Sequence, residues 1–182
     1  NRGTSTMLKY LLKRGSYEFR KRVLKQRFVE ISVHNYRMIV GLNDPGISRT
    51  LILFGTREKD HICILNKELS SGDVVFDLGA NIGYYALMEA NLVGKNGYVY
   101  AIEPSPSNVD VLRKNIFLNN YNDIVEVFQM GASNKTGKEK FYTSEMSNLG
   151  TFSPTRYYGK SSMTKSSPSI YIKTTTIPDF IV

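Results

Sequence analysis

One stretch constrains this chain more than any other: an apolar run that ends in a glycine loop. Asp73-Val74-Val75-Phe76-Asp77-Leu78 has no polar face and leads into Gly79-Ala80-Asn81-Ile82-Gly83, after which residues 82 to 92 read as a helix. A strand without a polar face belongs in a parallel sheet covered on both sides. The rhythm then repeats, with strand at 97 to 102, helix at 107 to 118 and strand at 125 to 130. Strand-helix-strand-helix-strand at this spacing predicts an α/β fold, a Rossmann-like, doubly wound, mostly parallel sheet. Ligands of such sheets bind outside the carboxyl ends of the strands, where the strand order reverses.

The loop itself points to a ligand. Gly79 and Gly83 let the backbone turn sharply and approach a bound molecule closely, and Asn81 is the residue type that best tolerates a left-handed conformation outside glycine. Free N–H groups at the following helix start favour an anionic group such as an amino-acid carboxylate. A dinucleotide site wants G-x-G-x-x-G; here those positions hold Asn81 and Tyr84, so that pattern fails. Glu103 ends the second strand and precedes Pro104. A carboxylate at that tip can accept both hydroxyl hydrogen bonds of a ribose. Asp77 at the end of the first strand joins these cofactor-binding candidates, serving the ligand by pinning the loop through backbone N–H groups.

The N-terminal part differs in character. Residues 1 to 30 hold nine Lys or Arg against Glu18 and Glu30, a net +7 out of +8 for the 182 residues. Residues 7 to 28 read as a helix broken at Gly15, with Leu8, Leu11, Leu12, Phe19 and Val23 on one side and most of the basic residues on the other. This arm suits an anionic membrane surface, although packing of its apolar stripe on the core or a second subunit competes. A hairpin follows: residues 28 to 33, a His34-Asn35 turn, then 36 to 40. Asn43-Asp44-Pro45-Gly46 is a turn cluster, residues 48 to 54 fit strand or helix equally, and Arg57 to Leu69 reads as a helix with Ile62, Leu65 and Leu69 on one face. Residues 139 to 143 and 170 to 175 alternate and should pair antiparallel, flanking a mobile Ser/Thr/Lys-rich loop from 153 to 169. The expected division is an extension over 1–71, comprising basic helix, hairpin and cap helix, and a core over 72–182.

Composition narrows the class. No apolar run reaches the roughly 18 residues that cross a bilayer, and the early leucines are interleaved with basic residues rather than forming a signal peptide. The single cysteine, Cys63, lies in an apolar run and reads as a buried thiol in a reducing cytoplasm. His34 and His61 read as turn and helix-surface residues, and with no Cys/His cluster a metal site is not expected.

The run from Gly72 to Tyr85 resembles the first motif of FkbM-type methyltransferases. So do Gly97-Tyr98-Val99-Tyr100-Ala101-Ile102-Glu103-Pro104-Ser105-Pro106 and Leu112-Arg113-Lys114-Asn115-Ile116-Phe117-Leu118-Asn119, with Arg57-Glu58 before them and Thr174-Thr175-Thr176-Ile177-Pro178-Asp179-Phe180 after. The resemblance implies a class I methyltransferase using S-adenosylmethionine, with O-methylation of a hydroxyl on a sugar, glycan or related small molecule. It would set Gly79, Ala80, Asn81 and Gly83 at the methionine part, Glu103 at the ribose, and Pro104, Ser105, Gly131, Ala132 and Ser133 around the adenine. Glu58 matches a family acid that precedes the core. The family's next strand, which carries its acidic catalytic motif, would follow Val182, so the chain reads as truncated and no catalytic base is assigned. The alternatives are an RNA methyltransferase, a nucleic-acid binder using the basic arm, or a non-catalytic cofactor-binding partner. A nucleic-acid partner is not expected, because no exposed sheet face alternates aromatic and basic residues.

Overall fold

A computed structural model describes residues 2–144, 147, 149–153, 157–158, 161–162 and 168–181. Its centre is the expected parallel sheet. β3 (Val74–Leu78), β4 (Tyr98–Ile102) and β5 (Val125–Phe128) pair in the order β3-β4-β5, and α4 (Tyr84–Val93) and α5 (Pro106–Leu118) are the crossovers. A largely apolar helix without a polar face is buried on most sides, and α4, with only Asn91 exposed, is such a helix. Ala86 and Ala90 let it sit close on Val99 and Ala101 of the sheet. Leu87 and Met88 pack the other way, against Val33, Met38 and Val40 of the N-terminal hairpin and Ile47 and Leu51 of α2 (Ile47–Phe54). Residues 48 to 54, open between strand and helix in the sequence, are therefore helical.

The hairpin of β1 (Phe28–Val33) and β2 (Tyr36–Gly41) is the one read from sequence. Two asparagines fasten it, Asn115 on α5 and Asn119 at its C-cap. Asn115, fully buried, accepts from the Ile39 N–H at 2.6 Å and donates to the carbonyls of Ile39 and Ile82 at 3.1 and 2.8 Å. Asn119 does the same for the N–H and carbonyl of Arg37. These side chains stand in for a neighbouring strand along β2, at part-buried Ile39 and exposed Arg37. The bond to the buried Ile82 carbonyl spares it the cost of a buried group without a partner.

Further on, a short strand β6 (Gly131–Ala132), β7 (Gly137–Tyr142) and β10 (Ser169–Thr175) form a second sheet, in which β10 pairs parallel with β6 and antiparallel with β7. The antiparallel pairing agrees with the sequence. The loop expected between them lies mostly outside the described residues, apart from the two-residue strands β8 (Tyr157–Tyr158) and β9 (Ser161–Ser162) and its ends. A short helix, α6 (Ile177–Ile181), closes the described chain.

Four expectations change. α1 (Arg2–Arg22) runs through Gly15 without a break and ends before residue 28. Its apolar stripe is exposed: Leu8, Leu12, Phe19 and Val23 keep half or more of their surface in water. β3 is not covered on both sides among the described residues, since Val74 and Leu78 are exposed while Phe76 meets Tyr100 and Phe180. Cys63 is exposed. It sits on α3 (Lys59–Glu68), a surface helix that half-buries Ile62, Leu65 and the adjoining Leu69, and about 100° per residue carries position 63 off that face.

Candidate cofactor site

Between β3 and α4 the chain reverses through three residues of positive φ: Gly79 at 92°, Asn81 at 52° and Gly83 at 93°. The N–H groups of Gly79 and Ala80 both reach the Ile102 carbonyl, at 2.8 and 3.1 Å, and tie the loop to the tip of β4. The two glycines serve different ends. A Cβ on Gly79 would meet nothing within 4 Å, so the space above it is open. One on Gly83, the N-cap of α4, would stand 2.7 Å from a methyl of Leu112, so this glycine lets α4 pass close to α5.

Glu103 follows β4 and is 4% exposed. Its Oε2 accepts from the Asn81 N–H at 2.9 Å; Oε1 accepts from the Ser105 N–H at 2.9 Å and the Asn108 amide at 3.1 Å. A carboxylate has about four lone-pair sites, so one, on Oε2, is left for a ligand. The loop is thus pinned by Glu103. Asp77 does not do so; its buried Oδ2 has no partner among the described residues. Burial raises the Glu103 carboxyl against the pull of its three donors. Burial, then the charge of Glu103, pushes Asp77 up to about 7, and burial, then Asp77, pushes Glu89 of α4 up to about 8. Three acids in sequence through the core cannot all ionise cheaply. The one with three donors holds the charge best.

Beside this loop opens a cavity of about 780 Å³, lined by Leu78, Gly79, Pro104, Gly131, Ala132 and Phe152 among others. That volume lies in the range of small-molecule sites. Ala80, Asn81, Gly83, Glu103, Ser105 and Ser133 do not line the cavity: Ala80 and Glu103 are buried, and Ser105 stands at the N-cap position of α5 without a side-chain cap bond. Ser133 points elsewhere: its hydroxyl donates to Glu139 at 2.8 Å. Three residues were not singled out from sequence. The Ser147 carbonyl accepts from the side chains of Asn81 and Asn108, both at 2.9 Å, and its own N–H and hydroxyl bond Asp44. Burial raises Asp44, but hydrogen bonds from Ser48, Gly46 and Ser147 outweigh it and hold the carboxyl below its usual range.

Glu58, His34 and His61 gather instead at the start of α4, on two tyrosines. Glu58 accepts from the Tyr85 hydroxyl and from Arg57 Nε at 2.8 Å, and chiefly the Tyr85 bond lowers its carboxyl. The His61 ring lies 4.4 Å from that of Tyr85, and His34 Nε2 stands 3.3 Å from the hydroxyl of buried Tyr84. None of the three lines the cavity. Among the described residues no His/Cys/Asp/Glu group is arranged to hold a metal.

A family model for the TRM5/TYW2 methyltransferase domain matches residues 47–147, which span the glycine loop, Glu103 and Ser147. The chain belongs to this family. It is a class I, S-adenosylmethionine-dependent methyltransferase domain, and S-adenosylmethionine is the cofactor of this family. The matched family is not the FkbM type that the local motifs resemble. Open space over Gly79, the remaining Oε2 lone pair and the cavity size all fit this cofactor. Among relatives, a protein-L-isoaspartate O-methyltransferase of Methanococcoides burtonii is 34% identical over 71 residues, 39% of this chain and 34% of that protein. An uncharacterized protein of Methanocaldococcus jannaschii is 38% identical over 76 residues, 42% of this chain and 28% of that one. The chain spans about a third of the length of the curated relatives it matches. Among solved structures, M. jannaschii TYW2 in complex with AdoMet is 23% identical with a TM-score of 0.46, covering 57% of this chain and 43% of that one. M. jannaschii Trm5 in complex with adenosine is 24% identical with a TM-score of 0.43, covering 57% and 30%.

Proposed function

We propose that this domain transfers the methyl group of S-adenosylmethionine to RNA. The family match over residues 47–147 carries the reading. It favours the RNA-methyltransferase alternative over a sugar or glycan hydroxyl as acceptor, which has only the local motifs behind it, and it speaks against the expectation that nucleic acid is no partner.

The cofactor supplies an electrophilic methyl on a sulfonium; the protein's part is orientation and the exclusion of other geometries. In this proposal Gly79, Ala80, Asn81 and Gly83 flank the methionine part, with Gly79 giving the backbone its close approach. Glu103 accepts one ribose hydroxyl through the free lone pair of Oε2, and a second would require Asn81 to give way. Pro104, Ser105, Gly131 and Ala132 border the adenine. Ser133, held by Glu139, contributes through its backbone alone. Tritium transfer from methyl-labelled S-adenosylmethionine to RNA, protein and glycan fractions tests the acceptor. The reading expects ribonuclease-sensitive label. Label in glycan, or in alkali-labile protein methyl esters, overturns RNA as the acceptor.

A further inference from the structure

α1 stands on the body of the chain by one side only. The Tyr10 ring stacks on Phe54 at 5.8 Å, and Tyr17, 4% exposed, donates its hydroxyl to the Leu42 carbonyl at 2.9 Å. At about 100° per residue, Leu8, Leu12, Phe19 and Val23 fall within about 60° of arc on the opposite side. They are 59%, 65%, 53% and 62% exposed, with nothing among the described residues covering them. Lys9, Lys13 and Arg20, all exposed, run along one flank of this stripe. Leu11 and Arg22 lie on the other flank, Arg22 paired with Glu18 at 2.7 Å yet 77% exposed. Lys25 and Arg27 follow the helix end, also exposed. The arm carries nearly all the net charge of the chain.

An outward apolar stripe edged by cations calls for a partner that is apolar in its interior and anionic at its surface. A polyanion in water would neutralise Lys9, Lys13 and Arg20 and leave Phe19 and the three aliphatic side chains wet. A bilayer interface satisfies both, since long basic side chains keep their stems in the apolar layer and their charges among the headgroups. The helix is not long and apolar enough to cross a membrane, so it would lie along the surface.

We propose that α1 is an interfacial helix that lays Leu8, Leu12, Phe19 and Val23 into an anionic bilayer surface, with Lys9, Lys13 and Arg20 at the headgroups. This docking is independent of the acceptor assigned above. Co-sedimentation of the 182-residue chain with phosphatidylcholine vesicles, with and without phosphatidylserine, tests it. The chain pellets with the anionic vesicles only, and rising salt releases it. Two variants change surface residues alone. Lys9→Gln/Lys13→Gln/Arg20→Gln lowers partitioning on the order of 100-fold, about fivefold for each cation removed. Leu12→Gln/Phe19→Gln lowers it at least about tenfold. The proposal is overturned if the chain stays in the supernatant with anionic vesicles at low salt. It is equally overturned if Leu12→Gln/Phe19→Gln binds vesicles as well as wild type, which marks a purely charged surface such as one for RNA. A dimer in sedimentation velocity that this variant abolishes assigns the stripe to a second copy instead.

Discussion

Gly79 and Gly83 share a positive φ and differ in what a side chain would meet. Gly79→Ala places its methyl in open space, so it costs only the left-handed strain, about 1–2 kcal/mol. Gly83→Ala adds a collision with Leu112, fully buried, and should cost about 2–4 kcal/mol. Urea denaturation of both variants checks the order; equal losses would contradict the packing role of Gly83. At this scale the site was legible where a residue type carries a conformation: two glycines and Asn81 mark the loop, and Glu103 marks the strand tip. Asp44, Asn108 and Ser147 were not legible. Their bonds join positions 39 to 103 residues apart, and nothing local distinguishes such a serine from one in any polar loop. The roles of Asp77 and Glu103 were also inverted in part, because which acid gains the loop N–H groups depends on side-chain direction at the end of each strand.

Among the elements, α5 does more than cross from β4 to β5. Through Asn115 it supplies hydrogen bonds to β2 and to the loop before α4, so Asn115→Ala should cost about 2–3 kcal/mol by stranding the buried Ile82 carbonyl and the part-buried groups of Ile39. Thermal unfolding of that variant measures it, and a loss below about 1 kcal/mol would mean that water replaces the side chain. α1 shows why the expected break failed: one interior glycine costs about 1 kcal/mol, too little to stop a helix fixed at Tyr10 and Tyr17. α3 shows the limit of an apolar run as evidence of burial. Ile62 and Leu65 face inward, and Cys63 between them does not. A bulky thiol reagent should therefore modify Cys63 in the native protein nearly as fast as in urea; protection of a hundredfold or more would place the thiol inside.

Across the whole molecule, the buried acids make stability depend on pH. In the unfolded chain Asp and Glu titrate near 4. In the folded chain Asp77 and Glu89 are raised to about 7 and about 8. Between about pH 4 and 8 the folded state therefore binds more protons than the unfolded state, and stability falls as pH rises through that window. Asp44, held low by its donors, acts oppositely and loses its contribution only as pH falls below about 4. Stability should peak near pH 4 and drop on the order of 2–4 kcal/mol by pH 8, with Glu89→Gln flattening the slope. A flat profile from pH 5 to 8 in wild type would show that these acids ionise freely. The fold as a whole was legible because the strand-helix rhythm is local. The open outer face of β3, covered only in part by Phe180, was not, because an apolar strand looks the same whether one face or both are covered. In the proposed cofactor site, the loop of residues 79–83 and Glu103 hold S-adenosylmethionine. Calorimetric titration of wild type and Glu103→Ala with S-adenosylhomocysteine, with NAD as control, tests it most directly. Wild type should bind S-adenosylhomocysteine and not NAD, with an affinity about 30- to 150-fold weaker in Glu103→Ala; NAD binding without S-adenosylhomocysteine binding, or an unchanged affinity in the variant, would remove the loop and Glu103 from the cofactor site.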